Sequence, residues 1–588
     1  MLRFNLLAIL GLAAAAQATP VATIAWEPWS DSVFARAERE HRFVLMDLEA
    51  VWCHWCHVMA ETTYQDPQVI KLIGQSYIAV RVDQDSRPDI SRRYENYGWP
   101  ATVVFAADGT EIAKRRGYVP PPMMSSMLQA IIDDPSPIQY GDENTVTQFA
   151  ANPLLSERVR QELERQFYET DDAELGALKQ GQKFIDRDTV EYGLLRAGQD
   201  DARAAQMTRR TLDHGLKLID PVWGGAYQYS TDSDWDHPHF EKIMSVQAED
   251  LRLYALAFGQ FHDERYRAAA QSIHRYLKSF LMSPEGAFYT SQDADLIRGE
   301  HSAGYFALGD AARRKLGIPV VDRNSYAREN GWAIQALATL SGVTGDRGAL
   351  DEALAAARWV MAHRALPGGG FRHGEADSAG PYLEDTLAMG RAFLALYATT
   401  GDRQWLKVAE AAEGFIEGKF RSASRPGYFT SVEPEGSKLK PVTIVDENIL
   451  MARFANLLHR YTGAPRYQDS AARAMRYLAT EEIALTRLTS PGILQAGFEL
   501  ANEPAHITVV GARGNRQAIE LFRAALEYPA VYRRIEWWDR GEGNLPNSDV
   551  QYPKLAHAAA FVCADGTCSL PIYEAAGIAQ AASPQGHH

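Results

Sequence analysis

Between residues 43 and 57 the chain reads Phe43-Val44-Leu45-Met46-Asp47-Leu48 and then Trp52-Cys53-His54-Trp55-Cys56-His57. The apolar run is long enough for a buried strand and too short for a helix. Helical spacing follows over residues 57–75, where Pro67 breaks or kinks it. Next come an apolar strand from Tyr77 to Val82, a polar helical stretch, and a strand from Trp99 to Phe105 that Pro100 opens. The turn pair Asp108-Gly109, a strand from Glu111 to Tyr118 and a helix from Met123 to Ile132 complete the unit. The order is β, α, β, α, β, β, α.

With a C-x-x-C at a strand-to-helix junction and a proline opening a later strand, residues 25–135 resemble the thioredoxin fold. Cys53 at a helix N-terminus meets unpaired N–H groups and the positive end of the helix dipole, which favour the attacking thiolate. Cys56, one turn on, is placed to resolve the mixed disulfide. A protonated His54 stabilises the thiolate further, and His57 adds to it. The resemblance implies two more roles: Asp47 as the buried carboxylate that relays a proton for the second cysteine, and Pro100 as the cis-proline beside which substrate backbone pairs. Three other readings compete: an inert structural disulfide, c-type haem attachment through C-x-x-C-H, and zinc with His57 as third ligand. Buried strands on both sides leave no haem pocket, and no second ligand pair lies nearby in sequence. No cofactor and no metal are expected.

A length of 588 residues suggests several domains, and 46% apolar residues supply several cores. The net charge of −15 and the lack of any basic run argue against nucleic acid as a partner. Arg3, an apolar run from Leu6 to Ala16 and Ala16-Gln17-Ala18 have the form of a cleavable signal peptide over residues 1–18, with the mature chain starting at Thr19. The expected location is therefore secreted or periplasmic, with no membrane association after cleavage. In that oxidising compartment the four cysteines, Cys53, Cys56, Cys563 and Cys568, can pair.

The long middle is helical and repeats. Four copies begin at Asp263, Asp346, Asp402 and Ala464; each has an alanine seven positions on (Ala270, Ala353, Ala409, Ala471) and an aromatic thirteen on (Tyr276, Trp359, Phe415, Tyr477). Each copy follows another amphipathic helix, so the unit is a helix hairpin. Between hairpins lie Gly224-Gly225-Ala226-Tyr227, Gly286-Ala287-Phe288-Tyr289, Gly368-Gly369-Gly370-Phe371 and Pro426-Gly427-Tyr428-Phe429, each followed by acidic residues. If the array closes into a ring, these loops gather aromatics and carboxylates over its mouth, a composition that suits a sugar cleft. The plain alternative is solvated acidic loops.

His239-Phe240-Glu241-Lys242-Ile243 and Phe288-Tyr289-Thr290-Ser291-Gln292-Asp293-Ala294-Asp295, joined to the W-C-H-W-C-H front, resemble the spermatogenesis-associated, thioredoxin-like family. The resemblance spans residues 25–570 and implies a thioredoxin-like domain before a six-hairpin (α/α) toroid of the glucosidase and sugar-epimerase type. Where that family continues its glycine loop into Ala-Pro-Lys-Phe-Pro, this chain has Ala226-Tyr227-Gln228-Tyr229-Ser230. The candidate toroid site is His239, Glu241, Asp293, Asp295, Glu384 and Asp385. His239 with Glu241, and Glu384 with Asp385, are expected to open inner helices that face the ring's centre.

From Ala505 a strand (His506 to Val510), a helix (Arg516 to Glu527) and strands near Arg534 to Trp538 and Ala558 to Val562 read as a small α/β piece. Cys563 and Cys568 form either a local disulfide clip or a second thiol pair that exchanges electrons with Cys53 and Cys56. The expected domains are 19–137 thioredoxin-like, 138–190 linker and first helices, 191–485 toroid and 486–588 C-terminal region. The expected function is a thiol–disulfide oxidoreductase acting on protein thiols or disulfides, with a toroid that binds a glycan or protein client. The alternatives are a carbohydrate-active enzyme with an accessory redox domain, and a non-catalytic binding scaffold.

Overall fold

The structure is a computed structural model that describes residues 23–138 and 146–581, apart from 376, 378, 434, 435, 565 and 566. The leader expected over residues 1–18 lies outside the described residues. The first domain carries β1 (Glu27–Pro28), α1 (Ser32–Glu40), β2 (Phe43–Glu49), α2 (His54–Glu61), α3 (Pro67–Ser76), β3 (Tyr77–Asp83), α4 (Pro88–Tyr94), β4 (Ala101–Phe105), β5 (Glu111–Arg116) and α5 (Pro121–Asp133). Its sheet runs β1-β3-β2-β4-β5, with β2 parallel to β3 and antiparallel to β4. Both faces of the central β2 are covered: Leu45 enters one core, Val44, Met46 and Leu48 the other. That two-sided burial is why its sequence is one apolar run instead of an alternation. Pro67 starts a helix where a break was expected. Asp66 accepts hydrogen bonds from the Gln68 and Val69 N–H groups at 2.9 and 3.0 Å, and proline at the first helical position forfeits no hydrogen bond. The peptide bond before Pro100 is cis.

The helical part begins with α6 (Glu157–Glu169), α7 (Arg187–Ala197), α8 (Ala202–Gly215), α9 (Met244–Phe261) and α10 (Glu264–Tyr276). It continues through the short α11 (Ala303–Phe306) and α12 (Asp310–Leu316) to α13 (Ala327–Thr344), α14 (Arg347–His363), α15 (Leu383–Thr400) and α16 (Arg403–Lys419). Last come α17 (Val445–Thr462), α18 (Pro465–Leu478), the one-turn α19 (Glu481–Ala484) and α20 (Pro491–Ala501). Helices α7, α9, α13, α15, α17 and α20 pack in that order and close on α7, while α8, α10, α14, α16, α18 and α6 lie outside them. This is an (α/α)6 toroid. It draws on α6 and α20, so the ring reaches beyond residues 191–485. The repeat read from the sequence is the outer helix. Its aspartates cap the N-termini of α10, α14 and α16, and its seventh-position alanines are fully buried.

The Gly-aromatic stretches are the turns that staple one hairpin to the next. A Cβ on Gly369 (φ +97°) would fall 2.6 Å from the Ala411 carbonyl of α16, and one on Gly225 (φ +78°) 2.6 Å from the Tyr276 ring of α10. Only glycine fits both the left-handed backbone and the contact. Each turn is then held by the fourth residue of an inner helix. Gln247 Oε1 accepts from Ala226 N at 2.7 Å, Asn330 Oδ1 from Phe288 N at 2.7 Å, Thr386 Oγ1 from Phe371 N at 3.1 Å and Asn448 Oδ1 from Tyr428 N at 2.9 Å.

Three two-residue strands, β6 (Tyr229–Ser230), β7 (Pro238–His239) and β8 (Lys242–Ile243), precede α9; β9 (Ser291–Gln292) and β10 (Val321–Asp322) follow α10. The C-terminal piece contains β11 (Ala505–Val510), α21 (Arg516–Leu526), β12 (Arg533–Trp538), β13 (Ala559–Ala564), β14 (Thr567–Cys568) and α22 (Ala575–Ala581), with sheet order β12-β11-β13-β14. Cys563 and Cys568 are bonded across β13 and β14 as the local clip. Among the described residues, no helix is long and apolar enough to cross a membrane.

Candidate functional site

Cys53 caps α2 and Cys56 lies in its first turn; their sulfurs are bonded, and the Cys56 N–H also points at Cys53 Sγ at 3.1 Å. Donors aimed at this sulfur favour its thiolate when the bond is reduced. Both cysteines are only 3% exposed. A thioredoxin-type motif reacts from an open edge, and this one is roofed by the toroid, with Ile243 packed against Trp52, Cys53 and Cys56.

Four of the six toroid residues expected to form a sugar site meet this motif: His239, Glu241, Asp293 and Asp295. Asp295 takes both histidines at once: Oδ1 lies 2.7 Å from His54 Nδ1, and Oδ2 lies 2.9 Å from His57 Nδ1. His57 Nε2 sits 3.1 Å from the Val51 carbonyl oxygen, which can only accept, so that nitrogen carries a proton. Glu241 Oε1 stands 3.5 Å from the His54 N–H, and its other oxygen is buried without a partner. His239 stacks on Tyr229 at 4.6 Å and faces Trp55. His239 and Glu241 belong to the β7–β8 turn and do not open a helix, because α9 starts only at Met244. Tyr229 comes from the segment that departs from the family pattern, and there it supplies the stacking face for His239.

Electrostatics divides the two aspartates. Burial pushes the Asp293 carboxyl up to about 7 against the pull of His57. Burial also opposes the charge of Asp295, but hydrogen bonds from His54 and His57 outweigh it and hold that carboxyl at about 2. Burial likewise opposes charge on His54, whose pKa is nonetheless raised by the bond to Asp295 and by its charge. His301, 5.7 Å from His54, is pushed down by burial and by the charges of His54 and His239. His57, Asp293 and Asp295 each bring one ligand atom within 4.8 Å of the others, and so are the cluster among the described residues whose types and spacing could hold a metal ion. The acids of that cluster come from a segment more than two hundred residues downstream of His57.

Glu384 and Asp385 lie in the first turn of α15 and stand apart from the C-x-x-C motif. Glu384 binds Arg92 of α4, with Nε at 3.0 Å, and Arg328 at 3.2 Å. Asp385 accepts from the Arg328 N–H at 3.0 Å and meets His373 Nδ1 at 2.8 Å, while His373 Nε2 donates to the Asp85 carbonyl at 2.6 Å. These contacts dock the first domain on the ring. Between the two sets lies a cavity of about 210 Å³ lined by Trp52, Trp99, Arg92, Ile243, Arg328 and Glu329. Asp47, on β2 itself, is buried. Burial and the charge of Glu49 raise it to about 7 against Arg81, and one of its oxygens has no hydrogen bond.

Cys563 and Cys568 lie at the other end. The inner helices present their first turns to the thioredoxin-like domain and their last turns to the C-terminal sheet, where Arg513 bonds the Thr400 and Gly401 carbonyls. Helix α15 has 18 residues, or about 27 Å. The two disulfides are therefore too far apart for direct exchange in this arrangement.

The fold and site define the class: a thioredoxin-like domain docked by its C-x-x-C motif on the mouth of an (α/α)6 toroid. A thioredoxin-type family model described as Protein of unknown function, DUF255, matches residues 15–139. The chain is similar to Spermatogenesis-associated protein 20 of Homo sapiens, with 23% identity over 93% of this chain and 88% of that one. The protein of the same name from Mus musculus is 29% identical over 46% of this chain and 38% of its own length. Solved structures with a similar fold include a D-mannose isomerase (11% identity, 60% of this chain, 99% of that one, TM-score 0.45) and the cellobiose 2-epimerase of Bacillus thermoamylovorans (12%, 55%, 86%, TM-score 0.44).

Proposed function

We propose that this chain is a thiol–disulfide oxidoreductase whose cysteine pair works inside the seam between its two domains, on disulfides or thiols small enough to enter it. The observation that carries this is the burial of both sulfurs under Ile243 while Asp295 holds His54 beside them. In the reduced protein the Cys53 thiolate attacks a small disulfide, forming a mixed disulfide and expelling one thiolate. Cys56, deprotonated, then attacks Cys53 Sγ, closes the internal disulfide and releases the second thiolate. The two electrons return from an external thiol reductant. An imidazolium at His54 favours the thiolate in the first step, and Asp47, titrating near 7, suits proton uptake from Cys56 in the second. The cavity of about 210 Å³ beside Trp52 and Trp99 has room for a group the size of an amino acid and none for a folded protein.

The test compares reduction of bis(2-hydroxyethyl) disulfide with reduction of insulin by the full-length protein. The small disulfide should turn over at least about tenfold faster, with both activities lost in Cys53→Ser. Insulin reduction at the same or a higher rate would sink the enclosed-site reading. A couple below about −300 mV in glutathione buffers would make the pair structural. Turnover of a glycan that survives Cys53→Ser would move the assignment to carbohydrate chemistry. Export to an oxidising compartment is part of the same proposal, and N-terminal sequencing of the exported protein should begin at Thr19.

A further inference from the structure

We infer that the end of the toroid lumen away from the redox pair binds a phosphate-sized oxyanion on Arg391. Three inner helices place arginines in the ring: Arg252 on α9, Arg391 on α15 and Arg453 on α17. Two of them are fully matched. Arg252 and Arg453 each reach Glu191 at 2.6 Å, Arg252 adds Glu249 at 2.9 Å and Arg453 adds Glu499 at 3.0 Å. Arg391 is 8% exposed and makes neither a hydrogen bond nor an ion pair among the described residues. Its nearest favourable charge, Glu249, makes its close pair with Arg252 instead, and a buried guanidinium without a hydrogen-bonded partner is a costly arrangement.

Arg391 lines a cavity of about 160 Å³ that the C-terminal sheet closes through Tyr532, Arg533 and Ile535. Arg533 also lacks an acid; it donates to the Leu526 and Tyr528 carbonyls at 2.9 and 2.6 Å. The charged groups of the wall are thus Arg252, Arg391, Arg453 and Arg533 against Glu191 and Glu499, and Glu249 beside them also acts on Arg391, which leaves an excess of one positive charge for an oxyanion to balance. A guanidinium presents a planar fork of N–H groups that fits two oxygens of phosphate at once. The cavity has room for a phosphate ion. Burial first, and then the neighbouring arginines, lower the Arg391 pKa to about 9 against the pull of Glu249.

The experiment is calorimetric titration of the full-length protein with inorganic phosphate, against chloride at matched ionic strength, with thermal melts in both. Phosphate should bind saturably with one site per chain and raise the melting midpoint. Arg391→Met should weaken that binding at least about tenfold, since a charge-assisted pair is lost. Arg391→Lys keeps the charge without the fork and should fall between the two, which covers the case of a methionine variant that does not fold. Cys53→Ser should bind phosphate like the parent, so the result is independent of the redox proposal. Equal stabilisation by chloride, or undiminished phosphate binding in Arg391→Met and Arg391→Lys, would overturn the inference.

Discussion

Glu384→Gln should open the seam between the domains and make the reduced cysteines alkylate roughly a hundredfold faster. In the parent, Glu384 neutralises two guanidiniums from different domains, Arg92 and Arg328; Glu384 and Arg328 are buried and Arg92 is half-buried. Burial opposes its charge, yet the two arginines more than offset this and hold it at about 2. Relative to an ordinary carboxyl near 4.5 that is about 2–3 units, or about 3 kcal/mol. Because the folded value is depressed, this contribution is present above pH 4.5 and fades as pH falls toward 2. Removing one partner of a buried pair costs about 3–5 kcal/mol, since the other charges stay behind. Arg92 keeps Glu95 and Arg328 keeps Glu329, so the low end applies, and about 3 kcal/mol is a hundredfold in an opening equilibrium. An unchanged alkylation rate with a lower melting midpoint would mean that Glu384 supports the ring and not the seam.

Asp295→Asn and Asp293→Asn should change stability in opposite directions, though the residues are two positions apart. Asp295 is depressed to about 2, so its contribution of about 2–3 kcal/mol exists above pH 4 and is lost below. The amide should therefore lower the denaturation midpoint at pH 7 and have little effect near pH 2. Losing Asp295 also removes what raises His54, whose share of stability is present below pH 6.5 and fades as pH rises through its folded value. Asp293 is the reverse case: raised from 3.8 to about 7, it makes the parent less stable as pH climbs between those values, by up to about 4 kcal/mol. Asp293→Asn should recover most of that at pH 8. Urea unfolding of the three proteins from pH 3 to pH 8 reads both effects. Parallel pH curves for Asp293→Asn and the parent would show that its carboxyl is not held protonated.

The order of elements was legible because each local pattern had a local cause. The run from Phe43 to Leu48 is apolar because both faces of β2 are covered, and the aspartates at 263, 346 and 402 recur because each caps an outer helix. Pro67 was misread for a local reason too: the same ring that breaks a helix interior is harmless at a first turn.

The candidate site was legible as a set of residues and not as a place. His239, Glu241, Asp293 and Asp295 were read as the lining of a sugar cleft, and four of the six candidates do gather, but around the cysteines. Arg92 was missed because an arginine on a polar helix gives the same signal whether it faces water or a second domain, and Arg328 and His373 because nothing near them in the chain marks the first domain as what they meet.

By itself the sequence determined the order of elements, the C-x-x-C pair and the glycine turns, since strand period, helix caps and left-handed glycines are set by residues near in the chain, while the six-hairpin ring was implied by a family resemblance. Only the tertiary structure decided that the toroid mouth is roofed, that Asp295 serves both motif histidines, and that Arg391 is left without an ion pair of its own. Those facts depend on which charges from distant segments share a low-dielectric space, and in that space the presence or absence of a partner decides the energy of each group.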